Sequence, residues 1–298
     1  MLEKLDGRIV QTFIAVYEER SISRAAERLG YVQSTVTIQL RTLEEAFGEK
    51  LFERLPRGVE PTEAGMKAAP FFYRFIQLGE VMQEAMLTRD EPSGEVRIRV
   101  LESFCVTQMP MFFRHFLEQH PQIRIRTETG FQKDITEELL KHRIDYGIVP
   151  IDPQIEQIVF YPLVQDELVC VIPDSLASRE LARDRASLER EPVISFGSRC
   201  IYHTFAAQAL AGAGIGLQEQ LEFGSLQMVK QMVKEGMGLA MLPLSSVRSE
   251  VERGELHILV LEKTIPLQHG LIVHKERLLG TAANLFRDAV LEWFQVKG

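Results

Sequence analysis

Cysteine is scarce in this chain. Cys105, Cys170 and Cys200 are the only three in 298 residues, widely spaced and without a CxxC pair, which excludes a disulfide framework and a thiolate metal site. Nor is there an excess of positive charge. Lys and Arg number 34 against 42 Asp and Glu, a net charge of -8, which is adverse for a partner whose backbone must be neutralised by cations. HExxH, GxSxG and P-loop patterns are missing, and His115, His120, His142, His203, His257, His269 and His274 keep no metal-ligand spacing. An enzyme, a metal and a cofactor are therefore not expected. The N-terminal MLEKLDGRIV lacks the apolar core and cleavage site of an export signal, so the expected location is the cytoplasm. Apolar residues at 45% and charged residues at 26% are ordinary for a globular protein, and they exclude collagen-like, disordered and membrane-spanning classes. The length accommodates two domains, or a large one and a small one.

The first sixty residues carry helical periodicity: Ile9, Phe13, Val16 and Tyr17, then Ala25, Ala26 and Leu29, then Val36, Leu40, Leu43 and Phe47. Three short helices follow from that spacing. Ser23 is placed to cap the second, Gly30 to allow a sharp turn, and Gln33 to begin the third, which is helix-turn-helix spacing. At 100° per residue Val36, Leu40, Leu43 and Phe47 fall on one narrow stripe and face inward, while Ser34, Ile38, Arg41 and Glu45 face outward with Thr37 at their edge. Lys50 to Thr62 reads as strand, turn and strand with Arg54 and Arg57 near the tip, the shape of a wing. Thr62 is placed to cap a helix from Glu63 to about Arg89, roughly 40 Å long. Phe71, Phe75, Leu78, Met82 and Ala85 step along it at a/d spacing, a seam that needs a second helix to cover it. Pro70 is expected to bend this helix rather than end it.

Asp90 to Gly94 reads as the domain boundary. Beyond it strands and helices alternate. Val96 to Leu101, Ile123 to Thr129 and Tyr146 to Val149 read as strands, with helices over Met109 to Gln119 and Lys133 to His142, a βαβαβ succession that predicts a parallel, helix-covered sheet. A second set comprises strands at Glu167 to Ile172, Val193 to Phe196, Leu217 to Glu222 and Leu239 to Leu242, and helices at Tyr202 to Ala213 and Leu226 to Glu235. Strands at Leu256 to Leu261 and Leu267 to Val273 and a last helix at Thr281 to Phe294 close the chain. Two α/β lobes crossed by two connections leave a cleft between them. Gly212-Ala213-Gly214-Ile215-Gly216 imitates part of a dinucleotide loop, but it follows a helix and reads as a helix end and turn.

Several stretches carry a family pattern: S-x-S-R-A-A-E-R-L over Ser21 to Leu29, V-Q-S-T-V-T-I-Q-L-R-T-L-E-E over Val32 to Glu45, G-E-K-L-F-E-R over Gly48 to Arg54, and P-T-E-A-G over Pro61 to Gly65. Ile144-Asp145-Tyr146-Gly147 and Gly236-Met237-Gly238-Leu239-Ala240-Met241-Leu242-Pro243 extend it toward the C-terminus. In these the chain resembles LysR-type transcriptional regulators. The resemblance implies an α/β protein with a winged helix-turn-helix over residues 1–62, a linker and dimerisation helix over 63–92, and a two-lobed domain over 93–298 like that of periplasmic binding proteins. It implies promoter binding as a homodimer through the linker helix or as a homotetramer, with contact to RNA polymerase. A small polar or anionic effector in the cleft would change the spacing of the heads and the DNA bend. This sequence departs from the pattern at Val32, where a Ser or Thr cap is frequent, at Ile38, where an Arg is frequent, and at His203, where many relatives carry Arg.

Placement and chemistry select the candidate residues. From Gln33 to Arg57 there are four basic and four acidic residues, so helix N-termini and polar donors must contribute to binding duplex DNA. Gln33, Ser34 and Thr37 suit base edges, Ile38 a thymine methyl, and Arg41 guanine or a phosphate. Arg54 and Arg57 suit the backbone or a narrow minor groove. For the effector, Glu102, Ser103 and Phe104 follow the first strand of the two-lobed domain and Gly130 and Phe131 the second. Phe196, Cys200, Tyr202, His203 and Ser225 lie at strand and helix ends of the other lobe. Ser103 and Ser225 fit helix capping as well as ligand contact. Alternatives are a redox-responsive regulator using Cys200, an enzyme, and a solute-binding protein, which would share the lobes but would not need a helix-turn-helix.

Overall fold

The computed structural model describes residues 5–56, 58–86, 91–177, 191–212, 219–261 and 265–295. Arg57, the side chain of Ala85, Arg89, the boundary residue Asp90 and the turn expected at 213–216 lie outside them. The chain opens with α1 (Gly7–Glu19), α2 (Ile22–Leu29) and α3 (Gln33–Phe47). Asp6 caps α1 by accepting from the Ile9 N–H at 2.9 Å. Ser21, not Ser23, caps α2 by accepting from Arg24 N–H at 3.3 Å, so the helix starts earlier than expected. Gly30 takes φ 68° between α2 and α3, a left-handed turn that a residue with a Cβ resists.

Val10, Phe13, Ala25, Val36 and Leu43 are fully buried and make the core of this head. Phe47, expected on the same inward stripe, is 37% exposed, because α3 ends there and its ring meets Phe72 edge-on at 5.8 Å. The wing follows as β1 (Phe52–Leu55) paired antiparallel with β2 (Gly58–Pro61). Thr62 Oγ1 then accepts from Gly65 N–H at 3.0 Å and starts α4 (Glu63–Met86), which continues through Pro70. One face of α4, with Ala69, Phe72 and Tyr73, is buried on the head, while Phe71, Phe75, Leu78 and Met82 on the seam are exposed.

The rest is mixed α/β. In the first lobe β3 (Gly94–Val100), α5 (Glu102–Gln119), β4 (Ile123–Thr129), α6 (Gln132–Leu140) and β5 (Tyr146–Val149) form the expected succession, with β3 between β4 and β5 and parallel to both. α5 starts seven residues before the expected Met109 and carries Pro110 inside. β6 (Ile158–Pro173) is far longer than the expected strand at Glu167 to Ile172. Pro162 hid its first half; it is accommodated opposite Gly270, where the register shifts in a bulge.

The second lobe holds α7 (Asp174–Ala177), β7 (Val193–Ser195), α8 (Ile201–Gly212), β8 (Glu219–Glu222), α9 (Leu226–Lys234), β9 (Ala240–Pro243), α10 (Leu244–Glu252) and β10 (Leu256–Leu259). Finally β11 (Ile265–His274) and α11 (Thr281–Gln295) return to the first lobe. β6 and β11 are the two crossings: they pair along Ile158 to Leu168, after which β6 pairs with β9 and β10. α10 has no counterpart in the sequence reading. Only Ser246, Val247 and Glu250 of its nine residues are buried, too few apolar positions to set a helical period.

Candidate DNA interface and effector cleft

The outward face of α3 is as its periodicity predicts. Gln33, Ser34, Ile38 and Arg41 are exposed and Thr37 is half-buried, whereas Val36 and Leu43 are fully buried beneath them. Ile38 is 64% exposed, an apolar group held in water between a hydroxyl and a guanidinium. Arg41 Nε donates to Glu45 Oε1 at 2.7 Å; an exposed pair of this kind is weak and easily exchanged for a phosphate. Val32 caps α3 without a side-chain bond, leaving backbone donors at the helix end available to an anion. Arg54 projects from β1 and is exposed.

The cleft between the lobes encloses about 260 Å³. Of the candidate residues, Glu102, Ser103, Gly130, Phe131, Phe196, Cys200 and Tyr202 line it. Phe104 does not: it is buried in the first-lobe core against His269 and Phe294, with ring centroids at 5.0 and 5.6 Å. Glu102 and Ser103 take the cleft side of the first turn of α5, and Phe104, 100° past Ser103, turns to the core side of the helix. Ser225 and His203 also lie off the lining, one at the N-cap of α9 and the other on the first turn of α8.

Neither serine makes a side-chain capping bond, although Ser225 holds the N-cap position of α9. Ser103 lies inside α5, its Oγ 3.3 Å from the Tyr202 hydroxyl across the cleft. At α9 the Leu226 N–H donates to Glu102 Oε2 at 2.9 Å, so a carboxylate from the first lobe occupies the helix end that Ser225 was expected to satisfy.

Arg99, Asp134 and Arg199 are lining residues absent from the candidate set. Arg199 Nη2 donates to both Asp134 oxygens at 2.7 Å and its guanidinium lies 5.8 Å from the Phe131 ring centre. The pair ties the lobes at the cleft mouth. Arg99 pairs with Glu128 at 3.2 Å, while its Nε is buried without a partner among the described residues. Arg99 is a polar position of the alternating strand β3 and Asp134 a first-turn acid of α6, places that carry no sign of a cleft in the sequence.

Cys200 is buried, and burial pushes its thiol up to about 11 despite the Tyr202 and His203 N–H groups that favour the thiolate. Desolvation thus outweighs the helix end, which is the opposite of the low-pKa environment that the redox-responsive alternative requires. Among the described residues no three His, Cys, Asp or Glu side chains are grouped to hold a metal ion, and no helix is long and apolar enough to cross a membrane.

A winged helix-turn-helix head joined by a helix to a two-lobed domain defines a ligand-responsive DNA-binding regulator. The model for bacterial regulatory helix-turn-helix proteins of the lysR family matches residues 8–66, and that for the LysR substrate binding domain matches residues 89–295. The chain belongs to the LysR family of transcriptional regulators. It is 29% identical over 284 residues to the HTH-type transcriptional regulator YofA of Bacillus subtilis, covering 95% of this chain and 97% of that one. To YofA of Bacillus velezensis it is 30% identical over 249 residues, 84% of each. Among solved structures, ArgP from Mycobacterium tuberculosis has a TM-score of 0.76 at 16% identity, covering 97% of both chains. Full-length CbnR complexed with its target DNA has a TM-score of 0.63 at 20% identity, covering 97% of this chain and 99% of that one. These two similarities establish the fold.

Proposed function

We propose that the chain reads a promoter sequence with α3 and holds the duplex with its wing. Gln33, Ser34 and Thr37 meet base edges, Ile38 a thymine methyl, and Arg41 a guanine or phosphate, while Arg54 and Arg57 hold the backbone or a narrow minor groove. The exposed Ile38 carries this reading: it stands among polar donors on the face opposite a fully buried stripe, where solvent alone gives no reason for an isoleucine. The net charge of -8 is compatible with it, because binding depends on where the cations sit and an oligomer presents several heads together.

In this reading a small polar or anionic effector occupies the cleft against Ser103, Tyr202, Phe131 and Phe196. The chain works as a homodimer through the uncovered α4 seam, or as a homotetramer, in the cytoplasm, touches RNA polymerase at the promoter, and catalyses nothing. The divisions near residues 62 and 92 separate the three working parts. The deciding experiment is a fluorescence titration of the full chain with duplex from its own upstream region and with a scrambled duplex, across a range of salt. Binding of the upstream duplex at least about a thousandfold tighter supports the reading, and equal salt-sensitive binding of both rejects it.

A further inference from the structure

α6 runs from the cleft to the head. At its start, Phe131 lines the cleft and Asp134 is held by Arg199 of the other lobe. The helix is about 13 Å long at 1.5 Å per residue, and Glu138, four residues on from Asp134, lies on the same face. Glu138 Oε1 accepts from Arg143 Nη1 at 2.8 Å, and the Arg143 N–H returns to the Glu138 carbonyl at 3.0 Å.

From Arg143 the bonds leave the two-lobed domain. Its Nε donates to the Tyr73 hydroxyl of α4 at 3.0 Å, and its guanidinium lies 5.2 Å from the Tyr17 ring centre of α1. The Tyr73 hydroxyl donates to Glu18 Oε1 of α1 at 2.7 Å. Glu18 Oε2 in turn accepts from Arg28 Nη1 in the last turn of α2 at 2.5 Å, just before Gly30 and α3. The buried Tyr73 hydroxyl on the linker helix therefore joins the domain that holds the cleft to the helix pair that precedes α3, beside the Arg143–Tyr17 contact and a Gln77 Nε2 bond to the His142 carbonyl at 3.1 Å.

The route has little slack. Ile135 and Leu139 of α6 are fully buried. At Gly147 on β5 a Cβ would stand 2.4 Å from Ile135 Cγ2, so α6 is seated directly on the sheet backbone and a displacement at Asp134 is not absorbed by repacking.

We propose that α6 and the Arg143–Tyr73–Glu18 bonds are the connection by which the state of the cleft sets the position of the DNA-binding head. Asp134 is its cleft end and Tyr73 the positioning residue at its head end. The functional part of this inference rests on α3 being the DNA-reading helix; the mechanical part does not. The route is a physical one only if its two ends are energetically coupled.

The test is a double-mutant cycle on the full chain without added ligand: wild type, Asp134→Asn, Tyr73→Phe and the double variant. Both substitutions keep the side-chain shape and remove one ionic or hydroxyl partner. Hydrogen exchange of the α1 and α2 amides is the first readout. Asp134→Asn is expected to change their exchange rates by about fivefold or more, and by less than half of that on a logarithmic scale when the Tyr73 hydroxyl is gone. Arg143→Gln in place of Tyr73→Phe gives the same pattern. No change from Asp134→Asn, or a change that survives either head-end substitution at more than half its size, overturns the connection. The second readout is affinity for the upstream duplex, which follows the same cycle. If no duplex is bound specifically while the exchange coupling is present, the reading of α3 falls and the connection stands.

Discussion

His269 makes the two-lobed domain sensitive to acid in a way that can be worked out. The side chain is 2% exposed, lies against Phe104 at 5.0 Å between ring centres, and neither ring nitrogen has a partner among the described residues. Burial lowers its pKa from 6.5 to about 4, with the Asp166 carboxylate opposing weakly. In the unfolded chain the imidazole takes up a proton near pH 6.5, whereas the folded protein refuses it until about pH 4, so the unfolded state binds more protons between these values and stability falls as pH falls through that window. At about 1.4 kcal/mol per pH unit, the contribution lost between pH 7 and pH 5 is about 2 kcal/mol. His269→Phe keeps a ring against Phe104 and removes the titration. The single tryptophan, Trp293, lies 6.1 Å from Phe112 between ring centres in the same core as Phe104, so its fluorescence in urea reports this lobe. Wild type is expected to lose about 2 kcal/mol more than His269→Phe between pH 7 and pH 5. Equal losses in the two proteins would refute the reasoning.

Three further outcomes follow from the head, a buried ion pair and a thiol. Thr37→Ala should cost about 1 to 3 kcal/mol of binding to the specific duplex and leave scrambled duplex nearly unchanged, whereas Arg54→Ala should weaken both and lower the salt slope by about one; titrations at several salt concentrations separate the two. Lys230 donates to the Ser246 carbonyl at 2.9 Å and pairs with the nearly buried Glu250, so Lys230→Met strands a charge between α9 and α10 and should cost about 3 to 5 kcal/mol of urea stability. Cys200, held protonated by burial, should react with iodoacetamide at neutral pH far more slowly in the folded chain than in the urea-unfolded chain, where the thiol is released into water. Rapid labelling of Cys200 in the folded chain, followed by mass spectrometry, would contradict that environment.

Periodic features were legible because burial imposes them. Val36, Leu40 and Leu43 had to share one face if α3 was to pack, and their spacing therefore also identified the opposite face with Ile38 and Arg41. The βαβαβ order of the first lobe was readable for the same reason. Long-range pairing was less legible: β6 runs past Pro162 because a bulge at Gly270 accepts it, which depends on a residue more than a hundred positions away. The cleft shows the same division. Strand and helix ends located Ser103, Gly130 and Tyr202, but Asp134 and Arg199 are neighbours only after the lobes close. Glu102 capping α9 from the other lobe likewise leaves no local trace, and the buried side of α5 that takes Phe104 away from the cleft is fixed by α11 and β11.

The claim on which the rest depends is that α3 lies in the major groove. Dimethyl sulfate protection of the upstream duplex reads that groove directly through guanine N7. The account predicts protected guanines in two patches separated by about one helical turn or a multiple of it, lost when Thr37 and Arg41 are replaced by alanine. Unchanged methylation across a duplex that the chain demonstrably retards would contradict it.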